Sequence, residues 1–271
     1  MGISDETSAI IADEISSVML APREVSPYSG RFPGFDLDDA YGVVEEMRRR
    51  CVARGERVVG RKVGFTNAAA WAGYGISGPI WNYLYDTTTF DLPLEDGAFP
   101  LGAWPNVRME TEVALGLCEA PETGMEDDEL LGCIEWAALD FEICTSIFPS
   151  WRFSVADAAT TGVHVALLLG ARHPVDRSRE RWADQLASFS ITLSEAAGAR
   201  ASGGGAQVLG TPIKALKHLV RELARHGGEP LRAGELVTTG TLTEALPAAP
   251  GERWRAEATG ADFASIEVRL A

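Results

Sequence analysis

Positive charge is what this chain is short of. Its 271 residues carry 24 lysines and arginines against 39 aspartates and glutamates, a net charge of −15. A surface of that sign repels nucleic acid and anionic membrane, so neither is expected as a partner. Cysteine is scarce as well. Cys51, Cys118, Cys133 and Cys144 form no C-x-x-C pair and stand among mostly apolar neighbours. They read as reduced core residues of a cytoplasmic protein, which excludes a disulfide framework and a zinc–thiolate site. No apolar run reaches membrane length. The opening MGISDETSAII lacks the basic-then-apolar order of a signal peptide. There is no internal repeat and no low-complexity linker. The glycine-rich Ser202–Gly205 lacks the strand–GxGxxG–helix frame of a dinucleotide site and the Lys–Ser/Thr of a P-loop, and reads as a turn.

Hydrophobic residues make up 46% of the chain, enough for a real core in one large domain or a domain with a small appendage. Ile10, Ile11, Ile15, Val18 and Met19 recur at helical spacing and predict an amphipathic helix over Asp5–Leu20. Asp36 is placed to cap a helix from Leu37 to about Ala53, with Asp38 and Asp39 in its first turn and Arg48–Arg50 near its end. Residues 1–57 therefore read as a helical lobe. From Val58 the texture changes to short strands broken by glycine and proline. Thr211–His226 is a second clear amphipathic helix, with Pro212 in its first turn and Gly227 at its end.

The stretch Val107–Leu117, VRMETEVALGL, alternates as a strand does. Met109, Thr111, Val113 and Leu115 face one way; Glu110, Glu112, Ala114 and Gly116 face the other. Two adjacent carboxylates repel, so they need water or a cation. Read alone, the pair fits either a solvated outer face or two ligands of a hard divalent metal, with small residues leaving room beside it. The segment Ile134–Ile147 reads as a buried strand carrying Asp140 and Glu142 on one face. Buried unpaired acids cost several kcal/mol, so a metal or a base is the expected reason for them. Glu135 reads as solvent-facing. Lys62, in VVGRKVGF, reads as either an inward lysine or a solvated one. His164 lies on an apolar strand, where a satisfied core histidine is the ordinary reading. His173, His218 and His226 read as surface positions, and PIWNYLYD as a core plug.

Six segments occur in order: GRKVGFTN at Gly60–Asn67, the E-x-E of Glu110 and Glu112, the EW…FEI run that reaches Glu142, Asp157…Gly162, SGGGAQVLGTP at Ser202–Pro212, and GELVTTGTLTEALP at Gly234–Pro247. Together they resemble the 2-keto-4-pentenoate hydratase / 4-oxalocrotonate decarboxylase family of the fumarylacetoacetate hydrolase superfamily, from about Leu37 onward. The resemblance implies an α+β protein: a fumarylacetoacetase C-terminal-like, mostly antiparallel rolled β-sheet over residues 58–271, behind the helical N-terminal lobe. It implies Mg²⁺ or Mn²⁺ on Glu110, Glu112 and Glu142, a donor set that suits a hard octahedral ion. It sets Lys62 close to a bound 2-oxo acid and Thr239, Gly240 and Thr241 against the substrate carboxylate. The implied chemistry is ketonisation of a 2-hydroxy-2,4-dienoate and addition of water at C4, with the metal and Lys62 stabilising the enolate oxygen.

Three positions depart from the family pattern. Ile80 follows Pro79 where an acid is frequent, Ile147 follows Ser146 where an arginine is frequent, and Ala158 follows Asp157 where an asparagine is frequent. Asp157 and His164 are then the candidates to take over proton transfer. The competing expectations are decarboxylation of an unsaturated 2-oxo diacid, hydrolytic C–C cleavage of an acylpyruvate, and a non-catalytic partner subunit of a decarboxylase–hydratase complex. The family analogy also implies a homo-oligomer.

Overall fold

The computed structural model describes residues 2–175, 179–198 and 200–271. The chain begins with α1 (Asp5–Leu20), α2 (Tyr28–Arg31) and α3 (Leu37–Ala53). Ser4 caps α1 by accepting from Thr7 N–H, and Asp36 and Asp39 form a reciprocal capping box on α3. Ile11, Ile15 and Val18 of α1 and Ala40, Val43 and Val44 of α3 are buried and belong to the main core.

Next come β1 (Val58–Gly64), α4 (Trp71–Tyr74), β2 (Ile80–Tyr85), β3 (Thr89–Asp91), β4 (Arg108–Leu117), α5 (Asp127–Gly132), β5 (Ile134–Cys144), α6 (Val155–Thr161), β6 (His164–Leu169) and β7 (His173–Pro174). The chain ends with α7 (Arg179–Ser188), β8 (Ser190–Glu195), β9 (Arg200–Gly204), α8 (Pro212–Arg225), β10 (Leu236–Thr238), β11 (Leu246–Pro247), β12 (Arg253–Thr259) and β13 (Ile266–Arg269). The main sheet runs β2-β1-β10-β4-β5-β6-β3, with β11 beside β4 and β7 beside β5. Its pairs are antiparallel except β1–β10 and β3–β6. A second sheet runs β13-β12-β8-β9.

The main sheet curls onto itself. Leu84 of β2 shares a buried cluster with Leu167 and Leu169 of β6, although four strands separate β2 from β6 in the sheet order. That cluster, with Ala114 and Leu236, fills one end of the inner face. The outer face of β4 and β5, Met109, Val113, Leu115, Phe141 and Ile143, packs into the main core with the N-terminal helices.

Several sequence-based expectations need correction. Ser202–Gly205 is not a turn: residues 202–204 extend as part of β9, because β8 supplies a hydrogen-bonding partner. Near the C-terminus, Trp254–Leu270 contains β13 and most of β12, and within Glu235–Thr243 only Leu236–Thr238 is strand. Cys118 is exposed while Cys51, Cys133 and Cys144 are buried, and all four are free thiols. Gly116 leaves no room beside the glutamates: a Cβ there would lie 1.9 Å from the Trp136 indole, which occupies that space.

Candidate active site

Four carboxylates and one lysine meet at the other end of the inner face. Across β4 and β5 the register sets Glu110 opposite Glu142 and Glu112 opposite Asp140, and the alternation turns all four inward. Glu112, Asp140 and Glu142 are each no more than 1% exposed and Glu110 is partly buried, so the pair does not lie on a solvated outer face. Lys62 comes from β1 and is buried too. Its Nζ donates to Glu142 Oε1 at 2.5 Å and to the Gly162 carbonyl at 2.7 Å. The carboxylates of Glu110 and Glu142 and the thiol of Cys144 each offer an atom within 4.8 Å of the others.

Glu112 is held differently. Its Oε2 accepts the Gly240 N–H at 2.7 Å. Gly240 sits at φ +101, and a Cβ there would lie 2.3 Å from Thr66 Oγ1, so only glycine can aim this N–H at the carboxylate. Both oxygens of Asp140 and Oε2 of Glu142 are buried without a hydrogen-bond partner among the described residues.

The electrostatics follow from that crowding. Burial opposes the charge of Glu142, but Lys62 and the His164 hydrogen bond outweigh it and hold its pKa at about 2. Lys62 is raised above its ordinary value, because the neighbouring Glu142 outweighs the burial that works against its charge. Burial and the Glu142 charge push Glu110 up to about 7. Burial first, then the charges of their acidic neighbours, push Glu112 and Asp140 well above the usual carboxylate range. One lysine cannot neutralise four acids, so the face calls for further positive charge. The unpartnered oxygens and the all-oxygen character of the glutamates suit a hard divalent cation.

This floor opens into a cavity of about 970 Å³ whose wall includes Lys62, Glu110, Glu112, Ile80 and Thr241. Strain gathers around it. Phe65, Trp151, Val163 and Leu209 line the cavity, and all four non-glycine residues have φ between 50 and 58°. Each such conformation costs about 1–3 kcal/mol and persists where the surroundings impose it, commonly at functional sites.

Five candidates lie off the cavity wall: Glu142 and Gly240, whose contacts are given above, and Asp157, His164 and Thr239. Asp157, read as a possible proton-transfer group, is a helix cap instead. Its carboxylate accepts Ser154 N–H and Oγ–H at 2.9 and 2.8 Å and Ser29 N–H and Oγ–H at 2.9 and 2.5 Å, tying α6 to α2. This carboxylate is wholly buried, with four donors on it, and stands away from the cavity. His164 stands behind Glu142 rather than in the cavity wall: Nδ1 is 2.8 Å from Glu142 Oε1 and Nε2 is 3.4 Å from Thr88 Oγ1. Both ring nitrogens are engaged, and the imidazole backs Glu142 from outside the cavity lining. Thr239 is wholly buried, its hydroxyl donating to the Val113 carbonyl at 2.9 Å. Of the Thr239–Thr241 segment, only Thr241 lines the cavity.

Other wall residues escaped the sequence reading. His218, expected at the surface, lines the cavity and packs edge-on against Trp71 at 5.6 Å. His226, expected there too, has a side chain only 6% exposed, 2.6 Å from Asp38. Arg108 and Trp151 also line the cavity, and the alternation that aligned Glu110 with Glu112 already aligned Arg108 with them.

The curled, mostly antiparallel sheet is the fold of solved proteins of the fumarylacetoacetate hydrolase family. A solved yeast protein of that family superposes with a TM-score of 0.56 over 78% of this chain and 91% of its own, at 18% identity. The 4-oxalocrotonate decarboxylase from Pseudomonas putida G7, solved with magnesium and adipate, superposes with a TM-score of 0.90 over 99% of both chains, at 24% identity. No family model matches the chain. The 2-hydroxyhexa-2,4-dienoate hydratase of Comamonas testosteroni is 30% identical over 253 residues, 90% of this chain and 91% of that one. A 4-oxalocrotonate decarboxylase from a Pseudomonas species is 32% identical over 233 residues, 83% of this chain and 86% of that one. The chain belongs to the 2-keto-4-pentenoate hydratase / 4-oxalocrotonate decarboxylase family and is a lyase. Among the described residues, no helix is long and apolar enough to cross a membrane.

Proposed function

We propose that this lyase adds water to an unsaturated 2-oxo acid, entering as a 2-hydroxy-2,4-dienoate, to give a 4-hydroxy-2-oxo acid. Glu110, Glu112 and Glu142 hold a divalent ion, Mg²⁺ or Mn²⁺. The observation that carries this reading is the charge imbalance of the floor: four inward acids and one lysine beneath a cavity that fits a small acid. When bound, the ion supplies a Lewis acid for the 2-oxo group and a seat for its carboxylate.

The chain's own residues divide the remaining tasks. Lys62, held charged by Glu142, keeps an N–H at the cavity floor for the oxygen on which negative charge gathers. His164 fixes Glu142 through Oε1 and leaves Oε2 for the ion. Gly240 N–H does the same for Glu112 through Oε2. Thr241 gives the wall a polar group for the substrate carboxylate, and Ile80, Phe65 and Phe153 hold its hydrocarbon part. The reading includes a cytoplasmic location, which the four free thiols favour, and assembly with copies of itself or with a decarboxylase or hydratase counterpart.

Decarboxylation is the second reading, favoured by the likeness to the solved decarboxylase with its bound dicarboxylate. An idle partner subunit fits poorly, since a scaffold has no use for three buried acids with a fourth beside them. An ultraviolet assay with Mg²⁺ or Mn²⁺ separates these readings. Loss of the dienol absorbance of 2-hydroxypenta-2,4-dienoate, with a product heavier by one water and sensitivity to chelator, is the expected result. Release of carbon dioxide from 2-oxohex-3-enedioate makes the second reading the right one. A protein that binds neither metal nor 2-oxo acid overturns both.

A further inference from the structure

Cys144 closes β5, two positions after Glu142, and is buried. The register with β4 runs unbroken to it, so alternation carries it onto the face that Asp140 and Glu142 share. Its thiol, a Glu110 oxygen and a Glu142 oxygen all lie within 4.8 Å of one another. This is the one such trio of metal-binding side chains among the described residues, and Cys144, not Glu112, completes it. Glu112 is already tied through Oε2 to the Gly240 N–H.

The trio has a free oxygen to offer. Lys62 and His164 both engage Oε1 of Glu142, while its Oε2 is buried without a hydrogen-bond partner. Glu110 lines the cavity, whereas Glu142 and Cys144 stand behind the lining. The thiol therefore approaches from the protein side and leaves the cavity side to the substrate. The other thiols have ordinary surroundings. Cys118 and Cys133 lie against the carbonyls of Cys133 and Glu129, and Cys51 lies beside Arg54. A sulphur donor changes which ion a site prefers. Mg²⁺ keeps to oxygen and water, and thiolate suits softer ions.

We infer that Cys144 is a ligand of the floor ion beside Glu110 and Glu142, and that it turns the site from Mg²⁺ towards Mn²⁺ and the thiophilic ions Co²⁺ and Zn²⁺. The inference rests on the reading of the floor as a metal site and names the class of ion that site takes. On binding, the Sγ–H bond breaks, its electron pair goes to the ion and the proton leaves to solvent, since a thiol ligates as the thiolate.

Co²⁺ reports the bond without turnover, because sulphur bonded to Co²⁺ gives an intense near-ultraviolet charge-transfer band that oxygen ligands do not. The chelator-treated full chain is titrated with Co²⁺ in buffer free of added thiols. The band is expected to grow in and saturate at one ion per chain. It is expected to be missing from Cys144→Val and Cys144→Ser and retained in Cys118→Ser, which removes the exposed thiol. Calorimetry with Co²⁺ and with Mg²⁺ gives the ratio of the two affinities. That ratio is expected to fall by about tenfold or more in Cys144→Val, the usual loss when one group at a metal site is removed. Cys144→Ser, with an oxygen in nearly the same place, is expected to keep its Mg²⁺ affinity while losing the preference for Co²⁺. Co²⁺ binding without the band, or a band that survives both Cys144 variants, overturns the inference and leaves the glutamate site standing. Failure of the unaltered protein to bind either ion overturns the floor as a metal site, and the inference with it.

Discussion

Two regions of this molecule are rich in acids, and they solve the same problem in opposite ways. On the C-terminal half of α3 the glutamates and the neighbouring Asp13 have basic partners: Arg48 with Glu45, Arg50 with Glu46 and Asp13, and Arg49 with Glu46, at 2.5–2.7 Å and partly open to solvent. On the inner face of β4 and β5 four acids share one lysine, three of them buried and the fourth, Glu110, partly so, with three oxygens unpartnered among the described residues. The first arrangement is balanced and needs nothing from outside. The second is unbalanced under burial, where an unmet charge is expensive. Such an arrangement persists in a folded chain when a ligand completes it. Imbalance under burial, rather than the number of acids, is what separates a site from a surface.

The largest effects are expected from breaking the one balanced pair inside the unbalanced cluster. Glu142→Gln leaves Lys62 buried without its counter-charge, a loss of about 3–5 kcal/mol in unfolding free energy by denaturant titration. The same change is expected to abolish metal binding and activity together. Lys62→Met is expected to spare metal affinity and to lower turnover by about 10²–10³-fold, the usual loss for one oxyanion donor. Full metal affinity in Glu142→Gln makes Asp140, with both oxygens unpartnered, the third ligand instead.

Much of this site was legible in the chain, because strand alternation has a fixed period. The faces of Glu110, Glu112, Asp140 and Glu142 follow from counting by twos. What counting cannot supply is register. That Glu110 stands opposite Glu142, or that His164 stands behind it, depends on how strands far apart in sequence align. Sequence alone likewise left open whether the glutamates faced water, since both faces of a curled sheet are covered only once the sheet has rolled. The misreading of Asp157 was avoidable: Ser154-x-x-Asp157 is a capping-box pattern, and the structure uses it as one. The misreading of Ser202–Gly205 was harder to avoid, because glycine does not announce a strand whose partner, β8, went unread.

A medium-sized effect sharpens the contrast through pH. Glu110, Glu112 and Asp140 have raised pKa values, so they contribute stability while neutral and lose it as pH rises past their unfolded values. For Glu110 that window runs from 4.5 to about 7. Glu142 has the opposite sign: its contribution is present above 4.5 and is lost as pH falls towards about 2. In chelator-treated protein the thermal midpoint is therefore expected to fall between about pH 4.5 and 7. Added Mg²⁺ or Mn²⁺ should restore more at pH 8 than at pH 5, because protons compete for the same oxygens. A midpoint that is flat with pH and indifferent to metal would show that the four acids are not a cation site.

The smallest effect is expected on the balanced side, and its smallness is the control. Glu45 is 40% exposed in its side chain and Arg48 is 23% exposed, so water already screens their attraction. Glu45→Gln should cost no more than about 1 kcal/mol of stability, a loss that fades as pH falls because partial burial is outweighed by Arg48, which lowers the Glu45 pKa, with no response to divalent metal. The comparison turns on that last point, because α3 holds more acids than β4 and presents them more openly. If acid count and access governed cation binding, α3 would bind metal and Glu45→Gln would weaken it. If unmet charge under burial governs it, metal titration of the Glu45 variant should match the unaltered protein while the Glu142 variant fails.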